Sequence, residues 1–291
     1  MRKKVFFAIF ILAVLAVIAA VEAVSFFYKG ATITGYAVSK IPTHVVKANK
    51  DVRVFIPPHA VQLAPGVFDL GTAMFDKEKV QGYMIIDYKK RLGKPPWVVD
   101  KQKPDQKTTC YAFLAKDAKW KNTEGYVLNP LNSDNLSDDF VKNTINTALE
   151  TWDKEVGFDI FGGGSLTTNT LVADTQAPDG KNEVYFGGVE GAGTIAVTIV
   201  WGIFGGPPRD RKLVEWDMVF DDFEFQFGDA NVTAYVMDLL NIATHEVGHA
   251  AGLGHPDDSC TEETMYRYAS IGEIKKRDLN TGDITGIKKL Y

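Results

Sequence analysis

The stretch His245-Glu246-Val247-Gly248-His249-Ala250-Ala251-Gly252-Leu253-Gly254-His255 decides how this chain is read. It ends an apolar periodic segment in which Val236, Leu239, Leu240, Ala243, Val247 and Ala250 share one face, so a helix is expected over 233–252. His245 and His249 stand four residues apart and project side by side from such a helix. Their ring nitrogens can meet on one zinc ion at ~2.0–2.1 Å. Glu246 lies beside the metal without being a ligand, placed to take a proton from water bound there. His255 would face the wrong way if the helix continued, so the chain must turn first. Gly252 supplies the positive φ that breaks the helix, and Gly254 eases the return. The chain holds five histidines in 291 residues, and three of them fall in these eleven. For this composition the full spacing arises by chance on the order of 10⁻⁵ times per chain, so a helix with ordinary satisfied histidines does not account for it.

Outward from this helix, residues 109–291 read as one α/β (α+β) unit. Strands are expected near 111–114, 125–128, 182–186, 193–201 and 216–220, from their β-branched and aromatic runs. Ser137 is a helix N-cap with Asp138 and Asp139 in the favourable first turn. Val141, Ile145, Ala148, Leu149 and Trp152 follow at helical spacing. Gly162-Gly163-Gly164 is expected to end that section, and a last short helix fits 283–291. Residues 29–108 alternate over short stretches, as at 52–56 and 83–86, between Pro57-Pro58 and Pro95-Pro96. That pattern reads as a small β-rich region, a prosegment or spacer, joined to the larger unit by a polar linker over 101–109.

Composition narrows the function. A net charge of −5, from 32 Lys+Arg against 37 Asp+Glu, lacks the basic excess of a nucleic-acid binder. Two cysteines are too few for a disulfide scaffold or an all-thiolate zinc site. Arg2, Lys3 and Lys4 precede an apolar run that continues, past Glu22, to Tyr28. Residues 1–28 are therefore expected to be a signal anchor or, alternatively, a signal peptide cleaved near Ala23. Either reading puts the remainder outside the cytoplasm, membrane-anchored in the first case and secreted in the second.

The eleven-residue motif resembles the zinc signature of the metzincin metallopeptidases. Met265, ten residues beyond His255 in Glu263-Thr264-Met265-Tyr266, resembles the Met-turn beneath the zinc in that clan. Within the clan the short gap from His255 to Met265, the helix ending in Trp152 and the closing segment Asp283-Ile284-Thr285-Gly286-Ile287 resemble the matrixins, prokaryotic type included. The resemblance spans 110–291, and the zinc motif is its specific part. It implies a twisted mixed sheet, an active-site helix and a Met-turn. It also implies a zinc-dependent endopeptidase acting on extended protein or peptide substrates, with water activated by Glu246. The strand over 194–201 would be the edge on which substrate pairs. Asp221 and Glu224 match acidic positions of a matrixin loop and imply calcium. Pro256 departs from the usual matrixin serine, and Arg267 stands where other metzincins carry a tyrosine ligand, so no tyrosine ligand is expected. The lack of histidine over 110–244 excludes the second, structural zinc site of vertebrate matrixins. Cys110 and Cys260 leave two readings open: a disulfide to the loop before Met265, or Cys110 blocking the zinc as a thiolate. The competing function is a non-catalytic, zinc-stabilised, membrane-anchored binding protein, which the presence of Glu246 argues against.

Overall fold

The computed structural model of the protein describes residues 52–90 and 109–291. The expected signal segment 1–28 lies outside the described residues. Among the described residues no helix is long and apolar enough to cross a membrane.

The core element is a mixed sheet. Its strands in chain order are β1 (Arg53–Val54), β2 (Val61–Ala64), β3 (Val67–Phe75) and β4 (Glu78–Lys89), then, past the short β5 (Ala112–Phe113), β6 (Glu124–Leu128), β7 (Phe161–Leu166), β8 (Glu183–Val189), β9 (Thr194–Ile203) and β10 (Lys212–Asp221). The order across the sheet is β2-β3-β4-β9-β10-β8-β6-β7, with β1 added beside β8. Two small pairs flank it. β11 (Phe227–Gly228) pairs with β12 (Met237–Asp238), and β13 (Leu253–Gly254) pairs with β5; β14 (Tyr268–Ala269) joins β4.

Alternation along the strands sorts the side chains onto two faces. Ile85, Ala196, Val200 and Met218 turn toward the helices, while Met84, Ile86, Val197, Ile199 and Trp201 build a second cluster on the opposite face. Helix α1 (Asp138–Asp153) starts at Ser137, whose hydroxyl accepts from the Phe140 amide at 3.2 Å, and buries Val141, Ile145, Ala148, Leu149 and Trp152 as the periodicity predicts. Helix α2 (Leu239–Ala250) is packed on both sides, and Asn241 through Ala250 are all buried. Helix α3 (Thr281–Leu290) closes the chain behind a capping box formed by Asn280 and Asp283.

Three elements differ from the sequence expectation. Helix α2 begins at Leu239 rather than 233, because Asp238 caps the Asn241 amide at 2.9 Å while Met237–Asp238 is drawn into the pair with β11. Gly162-Gly163-Gly164 does not end an element but lies inside β7. A Cβ at Gly164 would lie 2.2 Å from the Tyr126 ring, so a glycine-rich strand lets that ring lie flat on it. The third is β4, which runs twelve residues instead of four and pairs antiparallel with β9 from Gln81↔Gly202 to Tyr88↔Thr194. The tight turn before it uses Asp76 and Lys77, both at positive φ, as a two-residue hairpin requires.

Candidate metal centre

The sequence places two imidazoles on α2, and the fold brings the third to them. After Ala250 the backbone reverses at Gly252, whose φ is +100°, a conformation that L side chains rarely adopt. Leu253 and Gly254 then pair with Phe113 and Ala112, which carries the tail back across the helix end. His255 arrives with its Nε2 3.3 Å from that of His245 and 3.1 Å from that of His249. Two ligands of a tetrahedral zinc, each at ~2.05 Å, lie roughly 3.3 Å apart, so the spacing suits that ion.

The tautomers also suit it. His245 Nδ1 donates to the Thr264 carbonyl, and His249 Nδ1 donates to the Leu253 carbonyl at 2.9 Å. Each hydrogen bond fixes the ring and turns the Nε2 lone pair inward. Burial pushes His245 down to about 3 and His255 down to about 4, which keeps both rings neutral. Glu246 is wholly buried beside them. Its Oε2 accepts from the Thr198 hydroxyl at 2.6 Å, while Oε1 meets no donor among the described residues. Burial, with the nearby Asp87 carboxylate, raises its pKa well above the ordinary carboxylate value.

Met265 is in the expected place. It packs under α2 at Gly248, where a Cβ would lie 2.2 Å from its Sδ. The turn is pinned from behind, since Asp283 accepts from the Thr264 amide at 2.6 Å and from the Met265 amide at 3.1 Å. Thr264 in turn holds His245, so the N-terminus of α3 orients this candidate metal ligand through one intervening residue. Cys110 and Cys260 form a disulfide with Cα atoms 5.5 Å apart. Asp221 accepts backbone amides from Val189, Phe223 and Glu224 at 3.0–3.2 Å, and both Glu224 oxygens accept from the Gly193 amide at 2.8 Å.

Sequence reasoning missed three residues at the centre. Asp87 of β4 places Oδ1 3.0 Å from His245 Nε2 and 2.9 Å from His255 Nε2, with Oδ2 3.5 Å from His249 Nε2. The clue was an acid ending the apolar run Tyr83–Ile86, on the same face as Ile85. Thr198 holds Glu246, as a hydroxyl in an otherwise apolar strand. Lys276 is buried with its Nζ 3.3 Å from His245 Nδ1, donates to the Tyr266 carbonyl, and is lowered by burial to about 8.

The inward lone pairs of His245 and His249 repel the Asp87 carboxylate unless a cation lies among them, and the donor set of three imidazoles and one oxygen fits zinc. Fold and centre together define a metzincin-like metallopeptidase scaffold: a helix with two imidazoles, a bent tail with the third, and a methionine turn beneath. Comparison with known sequences narrows this, because a matrixin family profile matches residues 119–291, and the chain belongs to the matrixin family. Metalloendoproteinase 1-MMP of Arabidopsis thaliana is 29% identical over 191 residues, covering 63% of this chain and 47% of that protein. Metalloendoproteinase 1 of Glycine max is 38% identical over 77 residues (25% of this chain, 24% of that protein), and human matrilysin 40% over 55 residues (19% and 20%). The chain spans about half the length, at most 48%, of the first three plant relatives it matches.

Proposed function

We propose that this protein is a zinc-dependent endopeptidase that cleaves extended protein or peptide substrates outside the cytoplasm. The observation that carries the reading is the approach of His255 Nε2 to within 3.1–3.3 Å of both His249 and His245 Nε2, beside a buried, half-unpaired Glu246. His245, His249 and His255 would hold the zinc, which when bound would supply Lewis acidity toward the scissile carbonyl and the attacking water. Glu246 accepts the proton of the attacking water and delivers it to the leaving amine. Thr198 keeps that carboxylate in one rotamer. β9 is the strand along which an extended peptide would add, although the sequence expectation of a free edge there is not met, because β4 is paired along that edge in this structure. The names of the plant relatives, metalloendoproteinases, support the activity. The Cys110–Cys260 disulfide supports an oxidising compartment. Calcium at Asp221 and Glu224 completes the reading, and its binding has to draw these carboxylates from backbone amides.

The test is metal content together with turnover. One zinc per chain is expected, lost in His245→Ala. Cleavage of unfolded casein should fall by at least ~10²-fold in Glu246→Gln with the zinc retained. A Glu246→Gln variant as active as the parent, or a chain without zinc, refutes the reading.

A further inference from the structure

The carboxylate of Asp87 and the strand that carries it have no part in the peptidase reading, yet they fill its centre. Asp87 touches all three ligand nitrogens at 2.9–3.5 Å. The Nδ1 atoms of His245 and His249 face the backbone carbonyls of Thr264 and Leu253, which turns their Nε2 atoms toward Asp87. Three ring nitrogens gathered 2.9–3.5 Å from one carboxylate have the arrangement of four donors around one cation. A carboxylate oxygen is an ordinary fourth zinc ligand, at ~2.0–2.2 Å.

The backbone of β4 is as informative. It is hydrogen-bonded antiparallel along β9, the strand whose edge would otherwise be free for substrate. At its end it bridges the cleft, since the Lys89 amide donates to Gly193 O and the Lys90 amide to Ala269 O, each at 2.8 Å. Ala269 belongs to β14, which lies just past the Met-turn on the opposite wall. A register irregularity between Asp87↔Ala196 and Tyr88↔Thr194 leaves one extra residue, Ile195, on β9. Such bulges re-aim the side chains beside them, here at the strand position that meets the metal.

We propose that Asp87 is a fourth protein ligand of the metal and that β4 occupies the groove of an extended substrate, so that residues 52–90 hold the centre closed from within the same chain. This rests on the zinc-peptidase reading above. With the carboxylate in the fourth position no water reaches Glu246, and with β4 on β9 no peptide can pair there. Opening requires Asp87 to leave the metal and β4 to leave the edge.

The experiment uses the full chain with cobalt in place of zinc, and follows the visible absorption band while acetohydroxamate is added. The parent, Asp87→Ala and Asp87→Asn are compared. An incoming chelator has to displace Asp87 in the parent, so its apparent affinity is reduced by the fraction of time the centre is open. Both variants are expected to bind acetohydroxamate at least ~10-fold more tightly, and casein cleavage by the zinc forms should rise in step. Asp87→Asn preserves side-chain volume and reads out the same loss of ligand if Asp87→Ala folds poorly. Equal acetohydroxamate affinity in all three proteins, with metal content and Glu246 dependence intact, overturns this inference and leaves the peptidase reading standing. A chain that takes up neither zinc nor cobalt overturns both.

Discussion

Gly248→Ala tests whether the metal centre is held by packing beneath α2. Alanine is the better helix former by ~0.8–1.0 kcal/mol, so on propensity alone the substitution stabilises. The space is not there. The new Cβ would stand 2.2 Å from Met265 Sδ and 2.7 Å from Trp152 Cζ2, where carbon contacts settle at ~3.5–4.0 Å. Neither neighbour yields easily. Trp152 is fully buried with its Nε1 donating to Thr244 O at 2.8 Å, and the Met265 amide is held by Asp283. Overpacking of a tight core costs ~1–3 kcal/mol and more where two pinned groups collide, so a net loss of ~2 kcal/mol is expected after the propensity gain. The strain relaxes most readily by lifting α2 off Met265, which moves His245 and His249 relative to His255. Each ~1.4 kcal/mol of that misfit weakens zinc tenfold. Urea unfolding of apo and zinc-loaded protein, with zinc affinity from competition against a chelating dye, measures both effects. Gly157→Ala, which meets open space, is the control. A Gly248→Ala protein as stable as its parent, with unchanged zinc affinity, refutes the claim that this contact sets the site.

Two other predictions concern regions away from the zinc. Glu215 is fully buried beside Asp174 and Asp179, and burial first, then their repulsion, pushes it up to about 8. An acid raised in the folded state binds more protons there than when unfolded, so its stabilising contribution is full below its unfolded value of ~4.5 and is lost as pH rises through about 8. The unfolding free energy should fall between pH 5 and 8.5 by an amount on the order of a few kcal/mol, and Glu215→Gln should flatten that slope; a parent with a flat profile in urea unfolding contradicts this. The Cys110–Cys260 bridge closes a separation of 150 residues, for which chain entropy alone gives roughly 5 kcal/mol and typical bridges deliver ~2–4. Cys110→Ser with Cys260→Ser should lower the unfolding free energy from urea titration by an amount in that range, and reductant should then change nothing further; an unshifted midpoint would show the bridge is stabilising nothing.

Legibility in the sequence followed the range of the interaction. His245, Glu246, His249, Gly252 and His255 were readable because a helix and its break fix their relations within eleven residues. Met265 was readable because the loop to it is short. Ser137 and the apolar face of α1 were readable for the same local reason. Asp87 lies 168 residues from His255 and meets it only through the pairing of β4 with β9, which no periodicity encodes. The start of α2 was misplaced because Asp238 offered a cap and a strand partner inside a stretch whose apolar spacing still looked helical.

The pairing that hides Asp87 from the sequence also governs whether it reaches the metal. Side chains alternate along a strand, so a slip of β4 by one residue against β9 would turn Asp87 to the far face and bring Ile86 or Tyr88 toward the imidazoles. Register is therefore part of the site. It is fixed at the other end of the strand, where Gly82 lies over Trp201 and a Cβ would come within 2.8 Å of the indole. Trp201 cannot retreat, since it is fully buried and its Nε1 donates to Asp174 O at 2.8 Å. A flat ring thus accepts only a glycine opposite it, and five residues on, the strand presents a carboxylate to three ring nitrogens. The contact that seats β4 and the contact that closes the metal centre are set by one register, which ties the closure of the site to the seating of the whole strand.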